Sequence, residues 1–133
     1  MYNYPTIKLF DEIFGDFFNN SAINSEGIKT PIHDIIENDK EYVVELSLAG
    51  VEREHININV EEDVLIIKAK RNADEKLNYN RKQTYFGDYE RKFILPDNVD
   101  VENIKASLSN GILTVVIPKV KDDKKLSKRI KIT

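Results

Sequence analysis

A sandwich of two antiparallel β-sheets is the fold class that the 133 residues predict. Apolar residues recur at every second position in run after run, which is the period of a strand with one face on a core. Turn signals separate the runs, the strongest being Asn110-Gly111, and past residue 31 almost nothing repeats at helical spacing. Short, evenly spaced strands of this kind close into a sandwich rather than a parallel sheet.

The strands follow in order. Ile32 to Glu37 is a short one, ended by the polar Asn38-Asp39-Lys40. Tyr42, Val44, Leu46 and Leu48 then alternate with Val43, Glu45 and Ser47, and Ala49-Gly50-Val51 closes the run before an acidic connection, Glu52-Arg53-Glu54. Ile56, Ile58 and Val60 alternate with Asn57 and Asn59, the cleanest period-two stretch in the chain. Val64 to Lys70 is its partner across a tight turn, where Asp63 is expected to enter the left-handed region. Arg71 to Gln83 is a long polar excursion, and a loop of that length inside a compact domain usually serves a function. Tyr89 to Leu95 resumes the strands and stops at Pro96, which has no amide hydrogen to offer a ladder. Ile104, Ala106 and Leu108 alternate on one side of Asn110-Gly111, and Leu113, Val115 and Ile117 on the other. Asn-Gly tolerates positive φ at both positions, so a type I′ hairpin joins these two runs.

The ends differ from the body. Residues 1–18 hold four of the six Phe, and Phe10, Ile13, Phe14, Phe17 and Phe18 recur at three- and four-residue steps, as on one face of a short helix. Gly15 weakens that helix by about 1 kcal/mol. Asn19 to Thr30 reads as a linker, so the helix either packs on its own domain or is free to bind elsewhere. From Lys119 onward seven Lys or Arg stand against two Asp. That charge suits a solvated tail, or a basic arm for nucleic acid, although no aromatics interleave it. The tail ends in Ile130-Lys131-Ile132-Thr133, and an extended Ile-x-Ile puts both side chains on one side of a strand. It is either a terminal stub, an edge strand on its own domain, or a segment fit for a groove beside a sheet edge.

Composition excludes several functions. Net charge is −3, which argues against nucleic acid as a partner. With no cysteine there is no disulfide, thiolate nucleophile or Cys-based metal site, and the two histidines, His33 and His55, lack support for a metal site. No glycine-rich phosphate loop or nucleophile elbow occurs, and no Trp for stacking a sugar. The expectation is therefore no cofactor, no metal and no catalysis. The first eighteen residues have no continuous apolar run, so no signal peptide, membrane span or membrane partner is expected and a cytoplasmic location is.

Tyr89, Arg91, Phe93, Leu95 and Pro96, followed by Ile104 to Leu108 and by Gly111-Ile112-Leu113, resemble in order and spacing the C-terminal half of the alpha-crystallin domain of small heat shock proteins. With matching features on both sides, the resemblance covers roughly residues 32–132. It implies an immunoglobulin-like sandwich of seven or eight strands over 31–118, an N-terminal arm and linker over 1–30, and a C-terminal extension over 119–133. It also implies an ATP-independent holdase that binds unfolding proteins as a dynamic homo-oligomer built of dimers. By that resemblance the aromatic arm helps assembly and contacts clients. The long loop supplies a strand, placed at Tyr79, Asn80, Arg81, Lys82 and Gln83, that pairs with Ile32 to Ile36 of a neighbouring subunit. Ile130 and Ile132 dock in a groove of another subunit lined by Ile56, Ile58 and Val60 with Ile104, Ala106 and Leu108. Arg91 shares its strand face with Tyr89, Phe93 and Leu95, so it is expected to be partly buried and paired. The resemblance gives it a role in fold and dimer assembly.

Overall fold

Side chains that alternate inward along the sequence meet in one core. The computed structural model describes residues 27–121 and residue 132. Its seven strands are β1 (His33–Glu37), β2 (Glu41–Ser47), β3 (Ile56–Glu61), β4 (Val64–Arg71), β5 (Gly87–Ile94), β6 (Lys105–Ser109) and β7 (Ile112–Pro118). Two antiparallel sheets result, ordered β1-β2-β7-β6 and β3-β4-β5, so the predicted sandwich is the fold. Between them lie Tyr42, Val44 and Leu46 of β2, Leu113, Val115 and Ile117 of β7, Leu65, Ile67 and Ala69 of β4, and Phe93 of β5, all buried. Among the described residues no helix is long and apolar enough to cross a membrane. The arm residues Phe10, Ile13, Phe14, Phe17 and Phe18, with the short helix expected there, lie outside the described residues, as does the C-terminal extension from 122 apart from Ile132.

Turn chemistry sets the register. Ser109 faces Ile112 across Asn110-Gly111, whose φ values of 55° and 78° are both left-handed, as a type I′ turn requires. A Cβ on Gly111 would come within 3.0 Å of the Ala49 Cα, and the Gly111 carbonyl accepts the Leu48 amide at 2.7 Å, so the hairpin tip is fastened to the end of β2. The β3–β4 turn departs from expectation. Glu62, not Asp63, is the left-handed residue, with φ 57°. Glu61 pairs with Val64, which makes Glu62 the first residue of a two-residue loop, and it is this position that the register forces to positive φ.

Part of the stretch read as linker is held. Lys29 runs parallel to β5: its amide donates to the Asp88 carbonyl at 3.0 Å, and its carbonyl accepts the Glu90 amide at 3.1 Å. The Tyr85 hydroxyl lies within hydrogen-bonding distance of two carbonyls, Gly27 at 3.0 Å and Asp88 at 2.6 Å. Beyond Pro118, Lys119 and Val120 also stay fastened, their amides donating to Lys40 and Asn98 carbonyls at 2.8 Å each. The Lys119 ammonium contacts the Glu37 carboxylate at 2.7 Å and lies 4.9 Å from the centre of the Tyr42 ring.

Burial, then the Asp88 carboxylate and Tyr89, raise the Tyr85 phenol above its ordinary 10.0. A raised native value means that the protonated phenol is favoured on folding, so its contribution is complete below the unfolded value and is lost as pH rises through the native one. Two results should follow. The ultraviolet titration difference between the wild type and Tyr85→Phe should fall above pH 10.0. At neutral pH, Tyr85→Phe should speed amide exchange at Glu90, which reports the Lys29 contact, while amides of β2 keep their protection.

Candidate protein-docking site

β3 and β6 are edge strands of different sheets, and a cleft runs between them. Alternation builds its walls: β3 turns Ile56, Ile58 and Val60 inward, half-buried, while Asn57, Asn59 and Glu61 face water. From the other side come Ile104, just before β6, and Ala106 and Leu108 on it. One hollow of about 130 Å³ lies among Arg53, Ile56, Ile58, Ala106, Leu108 and Leu113. A second of about 250 Å³ lies among Ile58, Val60, Leu65, Ile104 and Ala106. Ile58 and Ala106 belong to both, so the two hollows are neighbours on one floor. Residues i and i+2 of a strand project to one side ~7 Å apart, and two adjacent hollows suit such a pair. An extended segment there also finds backbone groups that edge strands leave outside any ladder.

All six residues named for the groove, Ile56, Ile58, Val60, Ile104, Ala106 and Leu108, thus line the two hollows. Leu65, Leu113, Arg53, Asn59, Lys105 and Ser107 also line them. Leu113 was legible as an inward position of the hairpin, whereas Arg53 reaches the cleft through a 3-10 turn, Arg53–His55, that no sequence signal announces. Of the predicted ligand, Ile132 is 93% exposed and Ile130 lies outside the described residues.

The long excursion between β4 and β5 carries Tyr79, Asn80, Arg81, Lys82 and Gln83, all exposed, and within the single chain they join no ladder. Asp74 makes a local turn, its carboxylate accepting the Lys76 amide at 3.0 Å. At the base of the loop the Lys82 ammonium sits 4.8 Å from the Phe86 ring centre and 5.5 Å from that of Tyr79, and the Arg71 guanidinium lies 5.0 Å from Phe86. β1, the edge named as the target of a neighbour's strand, exposes Ile32 and Ile36.

Arg91 is 1% exposed, more deeply placed than expected, with its guanidinium 4.9 Å from the centre of the Phe93 ring. β5 directs it inward because it alternates in step with Phe93 and Leu95. The His33 ring packs edge-on against Phe93 at 5.6 Å. His33 Nδ1 is 3.1 Å from the Pro31 carbonyl, and His55 is 3.9 Å from the Glu52 carboxylate. Among the described residues no three His, Asp or Glu side chains gather as metal ligands would.

This geometry has close counterparts. The chain is 37% identical over 132 residues to "Small heat shock protein C4" of Rickettsia felis, covering 92% of this chain and 80% of that protein. Heat shock protein 16.0 from Schizosaccharomyces pombe superposes with TM-score 0.70 at 26% identity, over 100% of this chain and 96% of that one. A small heat-shock protein from Xylella fastidiosa, described as having a distinct high order structure, gives 0.68 at 29% identity over 78% of this chain and 96% of its own. The model of the Hsp20/alpha crystallin family matches residues 34–133, which takes in both walls of the cleft, the long loop and the terminal Ile-x-Ile, and the chain belongs to that family.

Proposed function

We propose that the protein is an ATP-independent holdase chaperone that binds partly unfolded proteins and keeps them from aggregating, acting in the cytoplasm as a dynamic oligomer of dimers. The observation that carries this reading is the two-hollow cleft between β3 and β6, matched in a single chain by an Ile-x-Ile pair whose described member, Ile132, is almost wholly exposed. The cleft has an apolar floor with Arg53, Asn59, Lys105 and Ser107 among its lining, an arrangement suited to holding an extended chain.

The energetics suit exchange. Burying two Ile side chains gives about 3–6 kcal/mol gross. Ordering a charged tail and losing translational freedom take much of that back. One docking is therefore weak, and many within an assembly hold by avidity. Warming shifts the population towards freed dimers, which offer clefts and aromatic arms to exposed apolar chain. In this scheme residues 1–30 are the arm and linker, 31–118 the domain and 119–133 the extension.

Light scattering of a heated client protein tests the function. At equal mass the protein should suppress the rise in scattering, and no suppression would sink the proposal. Ile130→Ala with Ile132→Ala should leave a folded dimer but abolish the larger assembly. Ala106→Phe, which fills the floor shared by both hollows, should do the same from the other side. Native mass by light scattering reads both, and wild-type mass in either variant would overturn the docking. Arg81→Pro removes an amide that a strand exchanged with a neighbour's β1 would use. Its expected product is a monomer with unchanged far-ultraviolet circular dichroism, and an intact dimer would exclude Tyr79 to Gln83 as the exchanged strand.

A further inference from the structure

The outer face of the β3-β4-β5 sheet is not the polar surface that an antiparallel sheet usually turns to water. β4 points Val64 and Ile66 outward there, between its buried Leu65 and Ile67, and Ile94 stands opposite Val64 in the β4–β5 register. All three are half-buried although the face points away from the other sheet. A hollow of about 360 Å³ lies over Val64, Ile66 and Lys92, with Glu61 and Glu62 at its end. A second of about 450 Å³ continues from Lys92 past Lys68, Asp88, Tyr89 and Glu90 to Ile28. Together they make a furrow along β4 and β5, whose eight-residue strands run ~26 Å. This surface is separate from the cleft between β3 and β6.

We propose that this furrow is the resting site of the chain's own N-terminal arm, residues 1–26. The place where the chain joins the body is the first reason. Ile28 forms one end of the furrow, and Lys29 is fixed beside it on β5, so whatever precedes Gly27 starts at the furrow's mouth. Reach is the second: Phe18 lies nine residues before Gly27, a span of up to ~30 Å and so as long as the furrow. A segment tethered this close has a high effective concentration at the site.

Chemistry is the third. The stripe of Phe10, Ile13, Phe14, Phe17 and Phe18 needs an apolar partner, and Val64, Ile66 and Ile94 supply one. Charge adds nothing net: Lys68 and Lys92 lie along the furrow, but Glu61, Glu62, Asp88 and Glu90 line it too, so Asp11, Glu12 and Asp16 beside the stripe meet both signs. Glu90 lies 3.9 Å from Lys92, and the apolar contact carries the docking. The inference rests on the arm being the client-contact segment proposed above. It adds where that segment is kept when no client is present: leaving the furrow exposes two apolar surfaces together.

A sequence without cysteine permits a direct test. In the full chain, Phe14→Cys is paired with Ile66→Cys in the furrow or, as control, with Glu45→Cys on the outer face of the other sheet. Oxidation should yield a disulfide within one chain, read as an unshifted subunit mass on a non-reducing gel. It should form about tenfold faster than in the control, and more slowly when a heat-unfolded client is present. Equal rates in the two pairs, or a disulfide joining two chains, would overturn the assignment. Client suppression is measured on the reduced protein. Suppression without the disulfide sinks the resting site alone, and the disulfide without suppression sinks the chaperone reading alone.

Discussion

Two small sheets that close over a core leave four open edges, and the cleft, the exposed Ile32 and Ile36 and the fastened start of the described chain all lie at one of them. An edge strand presents a row of backbone donors and acceptors that invites another chain. Here each edge is handled differently. The β5 edge is partly occupied from within, because Lys29 satisfies the Asp88 carbonyl and the Glu90 amide. The β3 and β6 edges belong to different sheets and border the cleft. β1 is an edge of its sheet, with exposed Ile32 and Ile36 along it.

The cleft exists because the core is closed elsewhere. β2, β7, β4 and β5 supply the fully buried side chains, while Ile56, Ile58, Val60, Ile104 and Leu108 pack against them only partly buried. Ala106, common to both hollows, stands where a larger side chain would fill the space between them. An incompletely packed seam between two sheets forgoes some hydrophobic stabilisation, and that unrealised burial is available to an incoming apolar pair.

How far the sequence was legible depends on the range of each interaction. Alternation is local, so Tyr42, Val44, Leu46 and Leu48 could be placed on the core side from their spacing alone. Asn110-Gly111 was legible because its chemistry admits few turns. The β3–β4 turn was not, since Glu62 and Asp63 are both acidic and only the register determines which takes the left-handed position. The pairing of Lys29 with β5 rests on one residue in a polar stretch, with Tyr85 supporting it from 58 positions away, and no period betrays such a contact. Arg91 could be assigned to the inner face by its step with Phe93, but its near-complete burial depends on the facing sheet. The groove residues came from family resemblance rather than from spacing. Alternation marked Ile56, Ile58 and Val60 as inward without saying that they would lie at an open seam instead of a closed core.

Both termini of the domain are fastened close to the surfaces that their extensions are proposed to reach. On the C-terminal side the fastening is a pair of backbone hydrogen bonds, Lys119 to Lys40 and Val120 to Asn98, reinforced by the contact of Lys119 with Glu37. Lys105 pairs with Val116, and Val120, four residues further on, is still fastened, so the chain leaves the body just beyond the Ile104 end of the cleft. A tether that starts from a fixed point has a reach set by its length alone. The nine residue steps from Lys121 to Ile130 extend to roughly 30 Å, which bounds how far a receiving groove can lie. A loose start would let the same tail sample a wider volume at lower effective concentration. Fastening the exits therefore makes weak apolar contacts selective in distance, which short Ile and Phe motifs could not achieve by affinity alone.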